Sequence, residues 1–275
     1  MKQFIQAGDY QAAYTAVGNG KPLILLHGFF GNSSTLSQLA ENLQSKFQCF
    51  SLELLGFGDS AKPKINYLID DQVDFVKGFA EALNLNDFYL VGYSYGAWVA
   101  SAYAIRYQST LKSLGLIAPA GIRDDSFAGN YDHLKPLLWK TKLVDLTITL
   151  YKPFAYLRGD KSGYKKIAQA RHALMTQPAA AAMLKSRLNP EDAVDTVEKD
   201  IYKIALKTIV IAAENDSTIP HWHSETYAGK IPHTEFQVIA DADHDFVETH
   251  AKEISIFLHN FLMKSALEQT MTPHD

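Results

Sequence analysis

The run Leu90–Val99 reads LVGYSYGAWV and sets Ser94 between Gly92 and Gly96, with a tyrosine on each side. A serine hydroxyl is a poor nucleophile until a base takes its proton. The pattern therefore means chemistry only if the chain also supplies a base, an acid to orient it, and donors for an oxyanion. Ten histidines compete for the role of base, and Cys49 is the one cysteine. Cys49 lies in the apolar run FQCFSL, where a thiol reads as a buried structural residue. A lone cysteine forms no intramolecular disulfide, which fits a reducing compartment.

Such side chains need a scaffold. FIQAG and QAAYTAVG alternate loosely and suit an N-terminal hairpin. A pattern then recurs of short apolar run, Gly-rich turn and helical period. PLILL, FQCFSLEL, FYLVGY, SLGLIAP, TIVIAAEND and EFQVIADAD read as strands covered on both faces. Helical spacing falls at 36–46, 68–83, 97–107 and 254–263. Alternating strands and helices predict an α/β fold, a mostly parallel sheet with helices on both faces. Ligands on such sheets bind beyond the carboxyl ends of the strands. Ser94 stands at one of those ends, on a strand-to-helix turn that holds its hydroxyl out above the sheet. The alternation breaks between residues 121 and 205, where helical stretches such as YKKIAQARHALM and several aromatics replace strands. We expect residues 1–120 and 206–275 to form the core and residues 121–205 a helical cap.

Bulk composition narrows the functional classes. The chain has 275 residues, enough for one large α/β unit with an insertion. Its net charge of −4 gives no footprint for nucleic acid. MKQFIQAGDYQAAY lacks an apolar stretch of signal-peptide length, and no window approaches the ~18 unbroken apolar residues of a membrane span. The expected setting is cytoplasmic, with a small-molecule substrate and no nucleic-acid or membrane partner. His221 and His223 in HWH would diverge on a helix, so no metal site is expected, and no organic cofactor is called for. The oligomeric state stays open.

Five segments together carry a resemblance. LLHGFFG, LLGFGDS, LVGYSYG, AENDSTIP and DADHDFVETH, in this order, resemble the α/β-hydrolase fold superfamily in its cap-bearing serine hydrolase branch. The resemblance implies a Ser94, Asp216, His244 triad, met in the family's chain order. His244 follows the last strand, where the family places its catalytic histidine. Asp216 follows the preceding strand, with Glu214 a weaker rival. The implied oxyanion donors are the backbone N–H groups of Tyr95 and of Phe29, with Phe30 the alternative in that loop. His27 would shape its turn. Glu53 stands where the family usually carries Asp, and Asp243 and Asp245 flank the histidine as carboxylates that favour an imidazolium.

The activity implied is that of a carboxylesterase-like serine hydrolase acting on a small, apolar substrate through an acyl-enzyme. Phe30, Tyr93 and Trp139 are expected in the pocket. Ser94 argues against the aspartate-nucleophile dehalogenases and epoxide hydrolases of the fold. Two alternatives remain: a carbon–carbon bond hydrolase of a vinylogous diketone, and a non-catalytic small-molecule-binding protein. Carbon–carbon hydrolases of the fold often carry Asn at the position of Tyr93, which tilts the reading toward esters. Chain length of the substrate and the choice among ester, thioester and lactone stay open.

Overall fold

The computed structural model describes residues 1–127, 132–186 and 195–271. These residues contain a sheet of eight strands: β1 (Lys2–Ala7), β2 (Tyr10–Val17), β3 (Lys21–Leu26), β4 (Phe47–Leu52), β5 (Phe88–Tyr93), β6 (Leu111–Ile117), β7 (Thr208–Ala213) and β8 (Thr234–Ile239). The spatial order is β1-β2-β4-β3-β5-β6-β7-β8. β1 and β2 form the expected antiparallel hairpin, and β2 pairs antiparallel with β4. From β4 to β8 every pairing is parallel.

Successive residues of the inner strands feed two separate cores, as the two-residue period of a strand requires. Leu23, Leu25, Val91, Ile209 and Ile211 point to one face. Ile24, Leu26, Leu90, Leu114 and Val210 point to the other. All are buried, which explains why these strands read as continuous apolar runs. Helices α1 (Ser37–Leu43), α8 (Phe246–Thr249) and α9 (Ala251–Met271) cover the first face. Helices α2 (Ile69–Ala82), α3 (Tyr95–Tyr107) and α7 (His221–Lys230) cover the second. The start of α2 is held by Asp71, whose carboxylate accepts the Leu68 N–H at 2.7 Å. The α/β architecture expected from the sequence is therefore the one observed.

Between β6 and β7 the chain leaves the sheet for α4 (Lys142–Leu157), α5 (Lys161–Thr176) and α6 (Pro178–Ser186). Asp160 caps α5 by accepting the Gly163 N–H at 2.9 Å. Leu174, Ala179, Ala180, Met183 and Leu184 of these helices join the core cluster that holds Tyr95 and Trp98. The chain after them is tied back by Trp98, whose indole N–H donates to the Asp195 carbonyl at 3.2 Å. Asp195 in turn accepts the Ile69 N–H at 2.9 Å.

Candidate active site

Ser94 sits at the hinge between β5 and α3, with φ 53° and ψ −114°. Positive φ is uncommon for any residue but glycine and costs ~1–3 kcal/mol, so the surroundings must impose it. They do so with backbone bonds. The Ser94 N–H donates to the Ile117 carbonyl at 2.8 Å, and the Ser94 carbonyl accepts from Ala97, Trp98 and Ala120. The flanking glycines are a steric need. A Cβ on Gly92 would lie 2.2 Å from the Gly96 carbonyl oxygen, and one on Gly96 would lie 2.3 Å from the Leu26 carbonyl oxygen. α3 can then approach β3 and β5 closely enough to hold the serine at the end of the sheet.

The structure brings Ser94, His244 and Asp216 into one line. His244 Nε2 is 3.0 Å from Ser94 Oγ, and His244 Nδ1 is 2.8 Å from Asp216 Oδ2. An ionised carboxylate only accepts, so Nδ1 carries the proton and the Nε2 lone pair faces the hydroxyl. Asp216 is itself held. Its other oxygen accepts the Thr218 and Ile219 N–H groups at 2.9 and 2.7 Å, and its side chain is buried. Glu214, the rival acid, is turned elsewhere and accepts the Asp241 N–H at 2.9 Å.

The loops that carry the acid and the histidine are laced together. Asn215 N donates to the Ala242 carbonyl at 2.8 Å. Asp243 accepts from the Ser217 N–H and hydroxyl, both at 2.8 Å, and from the His244 N–H at 2.7 Å. The Ser217 and His244 N–H groups hold its carboxyl below the usual aspartate range. Asp243 thus joins two loops by backbone contacts, a role its place beside His244 in the sequence did not signal. The cue that could have found it is topological: ENDS and DADHD follow adjacent strands.

The Phe29–Phe30 loop lies on the other side of the serine. Gly31 N donates to the Gly28 carbonyl at 3.0 Å, which leaves the Phe29 N–H outside the turn's own bond. Phe30 takes φ 61° at the third position of that turn. A Cβ built on Gly28 would sit 3.2 Å from Ser94 Cβ, so this backbone runs directly beside Ser94. The Phe29 and Phe30 rings stack at 4.2 Å. Tyr95 is the first residue of α3, directly after Ser94.

Beneath this loop His27 is buried. Its Nδ1–H donates to the Gly28 carbonyl at 2.8 Å, and its Nε2 accepts the Leu54 N–H at 3.1 Å. Burial lowers its pKa to about 4, so the ring is neutral and serves as a brace between two loops. Glu53, fully buried, accepts from the Asp59 N–H at 2.6 Å and the Ser33 hydroxyl at 2.7 Å, and pairs with Lys2 at 2.8 Å. Burial opposes its charge, yet those partners hold its carboxyl below the usual range. Its long side chain clamps the LGFGDS turn that supports the site. Burial pushes the Cys49 thiol up to about 12 and leaves it inert.

Two expected pocket residues are placed otherwise. Tyr93 is nearly buried, and its hydroxyl donates to the His244 carbonyl at 2.6 Å, so it braces the histidine loop from below. Trp139 is 64% exposed, and its carbonyl accepts from Arg171 at 2.9 Å, so its indole stands largely in solvent. Phe30 does line a cleft, of about 1360 Å³, between the core loops and α5, with Asn32, Thr218, Leu134, Ile167 and Ala173 around it. His221 and His223 diverge. His221 reaches the Ala213 carbonyl, while His223 pairs with Asp124 at 3.0 Å. Among the described residues no cluster of three His, Cys, Asp or Glu side chains could hold a metal ion.

Residues 21–144 match the family described as the alpha/beta hydrolase fold. The chain has the alpha/beta hydrolase fold. Lipase 1 of Psychrobacter immobilis is 28% identical to this hydrolase-fold chain over 257 residues, 89% of this chain and 78% of that one. A solved meta-cleavage product hydrolase from Pseudomonas fluorescens superposes with a TM-score of 0.77 at 22% identity, covering 96% of this chain and 98% of that one. An uncharacterized protein of Mycobacterium tuberculosis is 28% identical over 45% of this chain, a stretch spanning about a third of that protein (36%). No described helix of this chain is long and apolar enough to cross a membrane.

Proposed function

We propose that this chain is a serine hydrolase that cleaves an ester-type bond of a small, apolar substrate through an acyl-enzyme. The observation that carries the reading is the Asp216–His244–Ser94 line, with contacts of 2.8 and 3.0 Å, on a turn that holds serine at positive φ. Ser94 Oγ attacks the acyl carbon while His244 Nε2 takes its proton. Asp216 holds the imidazole in the tautomer that can accept it and stabilises the cation that forms. The tetrahedral oxyanion lies between the backbone N–H groups of Tyr95 and Phe29, helped by the N-terminus of α3. His244 then protonates the leaving alcohol. Water enters, gives its proton to His244 and attacks the acyl-serine, which releases the acid and restores the hydroxyl.

In this reading the helices between β6 and β7 form the cap, residues 121–205, over a core of residues 1–120 and 206–275. The test is turnover of a short activated ester by the native protein and by Ser94→Ala and His244→Ala variants. Each variant should lose roughly 10³-fold or more in kcat, and a fluorophosphonate probe should label the native protein at Ser94. A folded Ser94→Ala protein with near-native turnover would refute the mechanism. Strong cleavage of a vinylogous diketone with little ester turnover would replace the substrate class. Failure of the probe to label would favour a binding protein.

A further inference from the structure

α4 carries an apolar face that the described residues leave open. Leu143, Leu146, Leu150, Phe154 and Leu157 recur at spacings of three and four, which sets them in one row along the helix. Their exposure runs from 48% for Phe154 to 87% for Leu157. Such a row ordinarily faces a core. Here the inward side is Val144, Ile148 and Ala155, of which Ala155 is the buried one. Trp139 adds a largely exposed indole just before the helix.

The rim of this face is cationic. At ~100° per residue, Lys142 and Arg158 flank the row, each roughly 80° from its centre. The Arg158 guanidinium lies 4.2 Å over the Phe154 ring, its stem along the apolar surface. Lys152 and Lys161 gather around Tyr156. From Trp139 to Lys166 the chain has seven Lys or Arg and two Asp, a net +5 in a chain whose total is −4. Both carboxylates are already engaged. Asp145 accepts from Arg171 at 2.8 and 3.1 Å, and Asp160 caps α5.

An occupant of this face must offer apolar depth under the row and negative charge around it. A second copy of α4 offers depth, but it sets like charges against each other, and its one carboxylate, Asp145, is already held by Arg171. A bilayer surface with anionic headgroups offers both: acyl chains for the leucines and Phe154, phosphates for Lys142, Arg158 and their neighbours. Trp139 and Tyr151, apolar with one polar tip, suit the headgroup level. We infer that α4 docks this protein on anionic lipid surfaces, lying in the interface rather than crossing it. The sequence-based expectation of no membrane partner weighed only spanning segments, and a one-sided helix of 16 residues escapes that criterion. The inference stands on the outer face of α4 and is independent of the Ser94 mechanism.

The test is co-sedimentation of the full chain with vesicles of phosphatidylcholine, alone or in equal mixture with phosphatidylglycerol. Partition onto the mixed vesicles should exceed that onto neutral ones at least ~10-fold and weaken in high salt. Leu150→Ser with Phe154→Ser, and separately Lys142→Glu with Arg158→Glu, should each lower it at least ~10-fold. These side chains are exposed, so the melting temperature should stay native. Absence of binding to mixed vesicles, equal binding to neutral ones, or native binding by either double variant would overturn the inference. So would sedimentation showing a native dimer that the Leu150→Ser, Phe154→Ser pair makes monomeric, which would give the face to a second copy.

Discussion

The surroundings of a histidine decide what it can do, and this chain holds two contrasting cases. His244 faces a carboxylate on one nitrogen and a hydroxyl on the other, at the mouth of the site. His27 faces a carbonyl and a backbone N–H in a closed interior. Protonating His27 would set a charge in that interior and turn its Nε2 acceptor into a donor aimed at another donor. Its folded pKa of about 4 lies below the ordinary 6.5, so between those values the unfolded chain binds a proton that the folded chain refuses. Stability therefore rises with pH across this window. The His27 contribution is complete above pH ~6.5 and is lost on acidification toward pH ~4, by about 3 kcal/mol. Urea unfolding at a series of pH values checks this. A His27→Gln variant should be less stable at neutral pH yet show a shallower fall between those limits. The slope left over belongs in part to His223, whose burial also lowers its pKa. A variant as steep as the native protein would show that His27 does not carry the effect.

At the scale of the element, the turn at Ser94 is a problem of close approach. β5 must end, reverse into α3 and leave Ser94 pointing outward, all beside the carbonyls of Leu26 and His27. Both atoms that a Cβ on Gly96 would strike most closely are backbone oxygens, at 2.3 and 2.6 Å, so no rotamer change relieves the clash. Gly96→Ala should push α3 away from β3, costing about 3 kcal/mol or more. Because the same shift moves the Tyr95 N–H relative to Ser94, turnover should fall with stability. An Ala variant with a native urea midpoint would contradict the packing described. Gly159, by contrast, has open space where a Cβ would go, and only its φ of +78° asks for glycine. Motif glycines are thus not equivalent: those around Ser94 answer to volume, whereas the one ending the α4 turn answers to backbone angle.

For the whole molecule, stability should be uneven. β5 is buried along its full length between β3 and β6, with a core on each face. In α4 Ala155 is the buried residue, and much of its apolar row is in solvent. Local opening follows buried contact, so α4 should open far below the free energy of global unfolding. Amide hydrogen exchange at neutral pH should be at least ~100-fold faster in α4 than in β5, with α6, which shares the main core, in between. Equal protection in α4 and β5 would show that α4 is covered in solution.

Much of the fold could be read from local pattern. Apolar runs ending in Gly-rich turns marked the strands because each is buried on both faces, and burial on both faces removes alternation. The order of Ser94, Asp216 and His244 was legible because each closes a strand. The supports of the site were not legible. Tyr93 looked like a pocket wall because it neighbours the serine, but a strand end turns successive side chains to opposite sides, and Tyr93 lies under His244. Trp139 reads as one pocket aromatic among many, yet its indole stands largely in solvent. Asp243, expected to favour a charged imidazole beside it, also binds Ser217 across two loops. Sequence alone determined the layers of the sheet and which strand ends carry reactive groups, because those follow from local hydrophobic period and turn chemistry. Tertiary structure decided between Asp216 and Glu214 at His244, which tyrosine holds the histidine loop in place and which face of α4 the described residues leave open. Those depend on distances between segments up to 151 residues apart, as from Tyr93 to His244, and no local pattern encodes them.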